Sequence, residues 1–196
     1  MDKNGWINCG LAGNCCDTME NLQDLYLQVN NFQPKIHGQN FVHISQVHRV
    51  VEQHQEPFAV PPAPVTDIDM AIAEHIAELI PDCATIQLGI WAVPNAIGEQ
   101  LLSKHHLGLH TEMINDAVMK LFDAGVLDGT LKTIHRYQLK TFFCAGSKEL
   151  YEWLDDNPMV YGTPVTHNNN PYLIAQNDNM IAINAALQID LTGQCC

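Results

Sequence analysis

Positive charge is scarce in this chain: nine Lys and Arg stand against 22 Asp and Glu, for a formal net charge of −13. A surface of that sign repels the phosphate backbone that a nucleic-acid binder must grip, so no nucleic-acid partner is expected. Long apolar runs are also missing. None reaches the roughly 18–20 residues of a membrane span, and the opening MDKNGWINCG lacks a basic stretch followed by an apolar segment and a cleavage site. The chain therefore reads as cytoplasmic, with no membrane partner.

Disulfide and metal spacings are absent as well. The seven cysteines are an odd count, clustered as Cys9, Cys15, Cys16 and Cys195, Cys196, with Cys83 and Cys144 alone between them, which is no disulfide framework. Ten histidines supply no H-E-x-x-H, His105 and His106 are adjacent rather than on one helical face, and no C-x-x-C pairs occur, so no metal site is expected. There is no G-x-S-x-G elbow, no G-x-G-x-x-G and no P-loop. Cys144, between Phe143 and Ala145, reads as a small core residue rather than a nucleophile.

What is present is 196 residues, 46% of them hydrophobic, enough for one globular domain or two small ones. A chain of this length buries roughly 70% of its unfolded surface. Residues 1–25 show no sustained period and read as a poorly ordered lead-in. Phe41 to Gln53 holds two short β-branched runs suited to strands. Pro57 to Val65 carries four prolines in nine residues and reads as a stiff connector.

Regular patterning starts after it. Thr66 caps a predicted helix over 66–80, with Asp67 and Asp69 in its first turn and Ile68, Ile72, Ile76, Leu79 and Ile80 on one face. Apolar runs at 84–90, 107–112 and 139–146 alternate with helical segments from Pro94 to about Lys104, Asn115 to about Gly125, and Ser147 to Asp156. Such alternation predicts an α/β fold with a mainly parallel sheet flanked by helices and ligands bound outside the carboxyl ends of the strands. From 159 onward no helix is expected, and the sheet should gain strands directly, antiparallel ones among them.

Three places invite chemistry. Glu112 ends the run LGLHTE, where a carboxylate faces the binding crevice as a nucleophile or base; the pattern alone favours an ordinary solvated acid at a strand end over that role. The turn after Gln87 has Gly89 for close backbone approach and a helix N-terminus for an anion, and also fits a plain strand-to-helix connection. The third is THNNNPYLIAQNDNMIAIN, dense in asparagine, most of it suited to turns; Asn184, within an apolar run, fits a turn least well.

The segments VPPAPVTDIDMAIAEHIAELIPD, ATIQLGIWAVPNAIGEQL, LGLHTEMINDAVMKLFDAGV, FFCAGSKELYEWLDDNPMV and NPYLIAQNDNMIAINAALQIDLTGQ, in this order, resemble the acetyl-CoA hydrolase/transferase family, most of all its 4-hydroxybutyrate and butyryl-CoA:acetate CoA-transferase branch. The resemblance implies a family I CoA-transferase half of NagB/RpiA type, spanning 66–196 and truncated, preceded by a remnant of the other half over 26–56. Glu112 would be the nucleophile, forming a glutamyl-CoA thioester. Gly89, Ile90, Trp91, Ala92, Val93 and Asn184 would contact CoA, and Gln87 and Asn169 the acyl substrate. It also implies CoA as a substrate with no tightly bound cofactor, an acyl-CoA and a short-chain carboxylate as partners, and self-association; a non-catalytic CoA-binding fragment is the alternative.

The chain departs from the family pattern at Trp91, Cys83, Ala117 and Tyr137, where glycine is expected. At a position of positive φ each such residue would cost roughly 1 kcal/mol. The resemblance stops at Gln194, ahead of the G-x-G-G segment by which similar enzymes stabilise an oxyanion.

Overall fold

Short apolar runs become strands and the periodic segments between them become helices, in a computed structural model that describes residues 1–13, 16–61, 64–90 and 92–196. In chain order the elements are β1 (Trp6–Asn8), β2 (Tyr26–Val29), β3 (His37–Gly38), β4 (Phe41–His43), β5 (Arg49–Glu52), α1 (Asp67–Glu78), β6 (Thr85–Leu88), α2 (Ala92–Gln100), β7 (Gly108–Leu109), β8 (Met113–Ile114), α3 (Asp116–Asp123), β9 (Leu139–Thr141), β10 (Phe143–Cys144), α4 (Lys148–Leu154), β11 (Val160–Gly162), α5 (Val165–Asn168), α6 (Pro171–Ile174) and β12 (Met180–Ile183).

Strands β12, β6 and β7 pair in parallel, as do β9, β11 and β3. A parallel bridge from His110 to Lys140 joins the two sets into the order β12-β6-β7-β9-β11-β3. The side-chain period of two splits this sheet into unlike faces. Ile86, Leu88, Leu109, Leu139, Val160 and Ile183 enter the core that α1 to α4 close with Ala73, Ala77, Ile97, Val118, Leu121, Leu150 and Leu154. The opposite face carries Thr85, Gln87, His110, Lys140 and Tyr161, although parallel sheets are normally apolar on both sides.

Helix α1 forms where expected, with a reciprocal box between Thr66 and Asp69 at its start. Its buried face differs from the expected one. Ile80 is buried and Ile76 packs on the core as expected, but Ile68, Ile72 and Leu79 are exposed and Ala73 and Ala77 point inward, because small residues let α1 approach α2 closely. Gly98 serves the same end between α2 and α3: a Cβ there would stand 2.8 Å from that of Ala117. Ala117 lies inside α3, so its departure from glycine bears on packing and not on φ. Cys83 (φ 65°) and Tyr137 (φ 61°) do occupy left-handed positions.

Three further expectations are corrected. Residues 1–25, read as a lead-in without fixed structure, contain β1 in antiparallel register with β4, and Asn8 bonds both the N–H and the C=O of Ile36. After β11 the chain makes two short helices instead of strands alone, since Asn170 caps α6 and Pro171 opens it with φ already set. The last strand, β12, runs parallel to β6. The proline-rich connector is held to the helical layer: Val60 N–H donates to Gly146 O (2.9 Å) and the Tyr151 hydroxyl to Phe58 O (2.9 Å); Pro62 and Ala63 lie outside the described residues.

Candidate active site

Glu112 lies in a bend just past β7, not within a strand. The His110 N–H donates to Ile86 O (3.0 Å) and the Thr111 N–H to Lys140 O (2.9 Å), so the chain is gripped from both neighbouring strands as it leaves the sheet. The Thr111 hydroxyl donates to Leu88 O (3.0 Å), tying the end of β6 to the residue before Glu112. Beyond the bend, Glu112 C=O accepts from the Thr141 hydroxyl (2.8 Å) and from the Phe142 and Phe143 N–H groups. The backbone of Glu112 is thereby fixed at the carboxyl ends of parallel strands, and its side chain is only half-buried.

One carboxylate oxygen is held by a single amide: Asn169 Nδ2 donates to Glu112 Oε1 at 2.5 Å. Asn168 next to it is 1% exposed and clips this loop to the sheet, donating from Nδ2 to Thr111 O (2.8 Å) and accepting at its own carbonyl from His110 Nε2 (2.7 Å). His110 must carry its proton on Nε2 to make that bond. Its Nδ1 is buried with no hydrogen-bond partner among the described residues. Burial, opposed by the Asn168 bond and aided by Lys132, Lys140 and His167, lowers the His110 pKa and keeps the ring neutral.

The polar face of the sheet beneath this clip is basic. Lys132 and Lys140 are each 1% exposed. Lys132 Nζ donates to Leu109 O and Gln138 O (2.8 Å each), and Lys140 Nζ sits 4.4 Å from the centre of the Tyr161 ring. Burial and the neighbouring Lys140 push Lys132 down to about 7, and burial pushes Lys140 down to about 8. Burial and the same two lysines bring His135 to about 4.

Gly89 is required by close approach, not by φ: an added Cβ would meet Asn184 Oδ1 at 2.7 Å and Ile183 O at 3.0 Å. Its N–H is committed to Ile183 O (2.8 Å), which leaves the first turn of α2, from Ala92 and Val93 on, as the part of this connection with amides open to an anion. Gln87 and Asn184 exchange reciprocal amide bonds of 3.1 Å. Trp91 lies outside the described residues.

The predicted site residues thus form two groups, Glu112 with Asn169 and Gln87 with Gly89 and Asn184, linked by Thr111 and Leu88. Between α2, α3 and the connector lies a cavity of about 530 Å³, lined by Ile90, Asn95, Met113, Asn115, Ser147 and Val65 among others. Ile90 and Met113 bring it beside both groups, although Glu112 itself is not in its wall. Sequence reasoning missed His110, Thr111, Asn168 and the two buried lysines. The one available signal was polar residues inside strand-like runs, in LGLHTE and LKTFF. Cys144 is buried and its thiol is pushed up to about 12, as a core residue requires. Among the described residues no group of three His, Cys, Asp or Glu could hold a metal ion, and no helix is long and apolar enough to cross a membrane.

Residues 146–196 match the acetyl-CoA hydrolase/transferase C-terminal domain. The whole chain is 39% identical to 46% of the 4-hydroxybutyrate coenzyme A transferase of Clostridium kluyveri, and 99% of it is 37% identical to 45% of the butyryl-CoA:acetate CoA-transferase of Anaerostipes caccae. Among solved structures, RipA from Yersinia pestis superposes with a TM-score of 0.95 at 36% identity, over 100% of this chain and 45% of that one. A 4-hydroxybutyrate CoA-transferase from Porphyromonas gingivalis superposes with a TM-score of 0.95 at 35% identity, over 99% and 50%. The chain spans about half the length of these relatives or a little less. The chain is similar to them in sequence and in backbone along nearly its entire length, and its residues 146–196 match the C-terminal domain of the acetyl-CoA hydrolase/transferase family.

Proposed function

We propose that this chain carries the nucleophile of a cytoplasmic CoA-transferase that moves CoA between an acyl-CoA (acetyl-, butyryl- or 4-hydroxybutyryl-CoA) and a short carboxylic acid. In this reading residues 66–196 are a NagB/RpiA-type half and 26–56 part of the half before it. CoA enters as a substrate, and a second copy completes the assembly.

The observation that carries the reading is the half-exposed Glu112 carboxylate, fixed at the strand ends with one oxygen on Asn169 and the other left to attack. Glu112 adds to the thioester carbonyl and expels CoA thiolate, leaving an acyl-glutamyl anhydride. The thiolate then attacks the glutamyl carbonyl, releasing the first acid and forming a glutamyl-CoA thioester. An incoming carboxylate displaces CoA to give a new anhydride, and CoA thiolate returns to its acyl carbon, regenerating Glu112. Asn169 orients the carboxylate; the first turn of α2, at Ala92 and Val93, with Ile90 and Trp91, receives the CoA arm; Gln87 and Asn184 shape the approach past Gly89.

The test is mass spectrometry of the protein after incubation with butyryl-CoA and acetate. A hydroxylamine-sensitive adduct on Glu112, lost in Glu112→Gln, is expected. No adduct refutes catalysis, and saturable CoA binding without exchange makes the chain a CoA-binding module.

A further inference from the structure

The odd cysteine count gives no disulfide framework in the sequence, but the fold brings two of these residues together. Cys16 Sγ lies 3.1 Å from Cys9 Sγ. A disulfide bond is about 2.05 Å long, so an approach of about 1 Å separates the pair from a covalent link.

The described residues around them, 9–13 and 16, are folded back on a buried side chain. Cys9 N–H donates to Asn40 O (2.9 Å), Asn40 Nδ2 donates to Gly10 O (2.9 Å), and Cys16 N–H donates to Gly13 O (3.3 Å). Asn40 is 1% exposed, and its Oδ1 is 3.6 Å from Cys16 Sγ. Gly10 sits at φ 63°, and a Cβ on Gly13 would run into the Asn40 amide. Much of the ordering that loop closure requires is therefore supplied by non-covalent contacts. Both cysteines are half-buried, within reach of a dissolved reagent, unlike the buried Cys144.

The loop also abuts the Glu112 bend on two sides. Leu11 O accepts from Cys144 N–H, and Ala12 bridges to Phe143, whose own N–H donates to Glu112 O. Asp17, following Cys16, accepts from the hydroxyl of Thr166 in the helical turn that leads to Asn169.

We propose that Cys9 and Cys16 are a dithiol–disulfide pair at the edge of the candidate active site, oxidised by exchange with a small-molecule disulfide such as oxidised glutathione. One cysteine, as its thiolate, attacks a sulfur of the oxidant, forming a mixed disulfide and releasing one thiolate. The other cysteine loses its proton to solvent, attacks the mixed disulfide at the protein sulfur and expels the second thiolate. Two protein thiols are oxidised to one disulfide, and one small disulfide is reduced to two thiols. The proposal is independent of the chemistry at Glu112.

The full chain carrying Cys195→Ser and Cys196→Ser is incubated with oxidised glutathione, quenched in acid, alkylated and weighed. The expected result, against the reduced chain alkylated in the same way, is a protein lighter by two alkyl groups, since one disulfide withholds two thiols from the reagent, with a Cys9–Cys16 bridge in the peptide map and recovery by dithiothreitol. Cys16→Ser in the same background should instead accumulate a stable glutathione adduct on Cys9. A bridge that uses Cys15, or adducts on Cys9 and Cys16 that persist without an internal bridge, overturns the proposal. Should Cys16→Ser fail to fold, the map of the parent chain decides alone.

Discussion

Replacing Lys140 with methionine is expected to stabilise the protein at pH 7. The Lys140 ammonium is buried over Tyr161 with its pKa near 8, and Lys132 beside it lies near 7, against an ordinary 10.5. A base whose pKa is lower folded than unfolded binds fewer protons in the native state, so stability rises with pH between the folded and unfolded values. Lys132 acts from pH 7 upward and Lys140 from pH 8. Together they raise the unfolding free energy by about 4 kcal/mol between pH 7 and 9, at 1.36 kcal/mol per pH unit and group. The raised thiols of Cys16 and Cys144 pull the other way only above pH 9, and the depressed histidines His110, His135 and His167 act below pH 6.5. Lys140→Met removes a penalty of about 3 kcal/mol at pH 7 and gives up a cation–π contact of about 0.5–2 kcal/mol. The net gain is about 1–3 kcal/mol by these two magnitudes, and desolvation wins. Urea unfolding at pH 7, 8 and 9, followed by tryptophan fluorescence, measures both effects. A wild-type chain no more stable at pH 9 than at pH 7, or a Lys140→Met variant less stable at pH 7, would show that these ammonium groups are not buried as described.

Asn169→Ala should lower acyl-CoA exchange by about 10–100-fold, the worth of one hydrogen bond to a charged group, with urea stability unchanged since Asn169 is exposed; an unaltered rate in the exchange assay would remove the amide from the mechanism. Gly89→Ala forces a methyl group against Asn184 Oδ1 and Ile183 O. A cost of about 1–3 kcal/mol is expected from such crowding, read as a lower urea midpoint, and no loss would show that the turn relaxes. Tyr137→Gly relieves a left-handed residue that is 58% exposed. Calorimetry should show a Tm rise of about 2–4 °C, corresponding to about 1 kcal/mol, and a lower Tm would mean that the ring contributes more than its backbone strain costs.

Local physics made much of this molecule legible before any coordinates. The Thr66 cap with Asp69, the Ser147 cap of α4, and the alternation of short apolar runs with periodic segments are rules of a few residues, and the helices they predict form. The left-handed positions at Cys83 and Tyr137 followed from the family pattern. Where the sequence misled, the deciding contact was distant. Ile68, Ile72 and Leu79 have a helical period, yet Ala73 and Ala77 are buried because α2 requires close approach. The opening segment has no period of its own and takes its order from Phe41–His43, Ile36 and Cys144.

The sequence by itself determined the α/β alternation and the resemblance to the acetyl-CoA hydrolase/transferase family, and it singled out Glu112 among 22 acids as the candidate nucleophile, because those readings rest on residue order and on near-neighbour rules. Only the tertiary structure decided that Asn169 and not Asn184 reaches that carboxylate, that His110 and Asn168 hold the loop, that two lysines lie buried beneath it, and that Cys9 meets Cys16. The physical reason is that these contacts join residues on separate strands and loops, and their distances are set by how the sheet is assembled rather than by spacing along the chain.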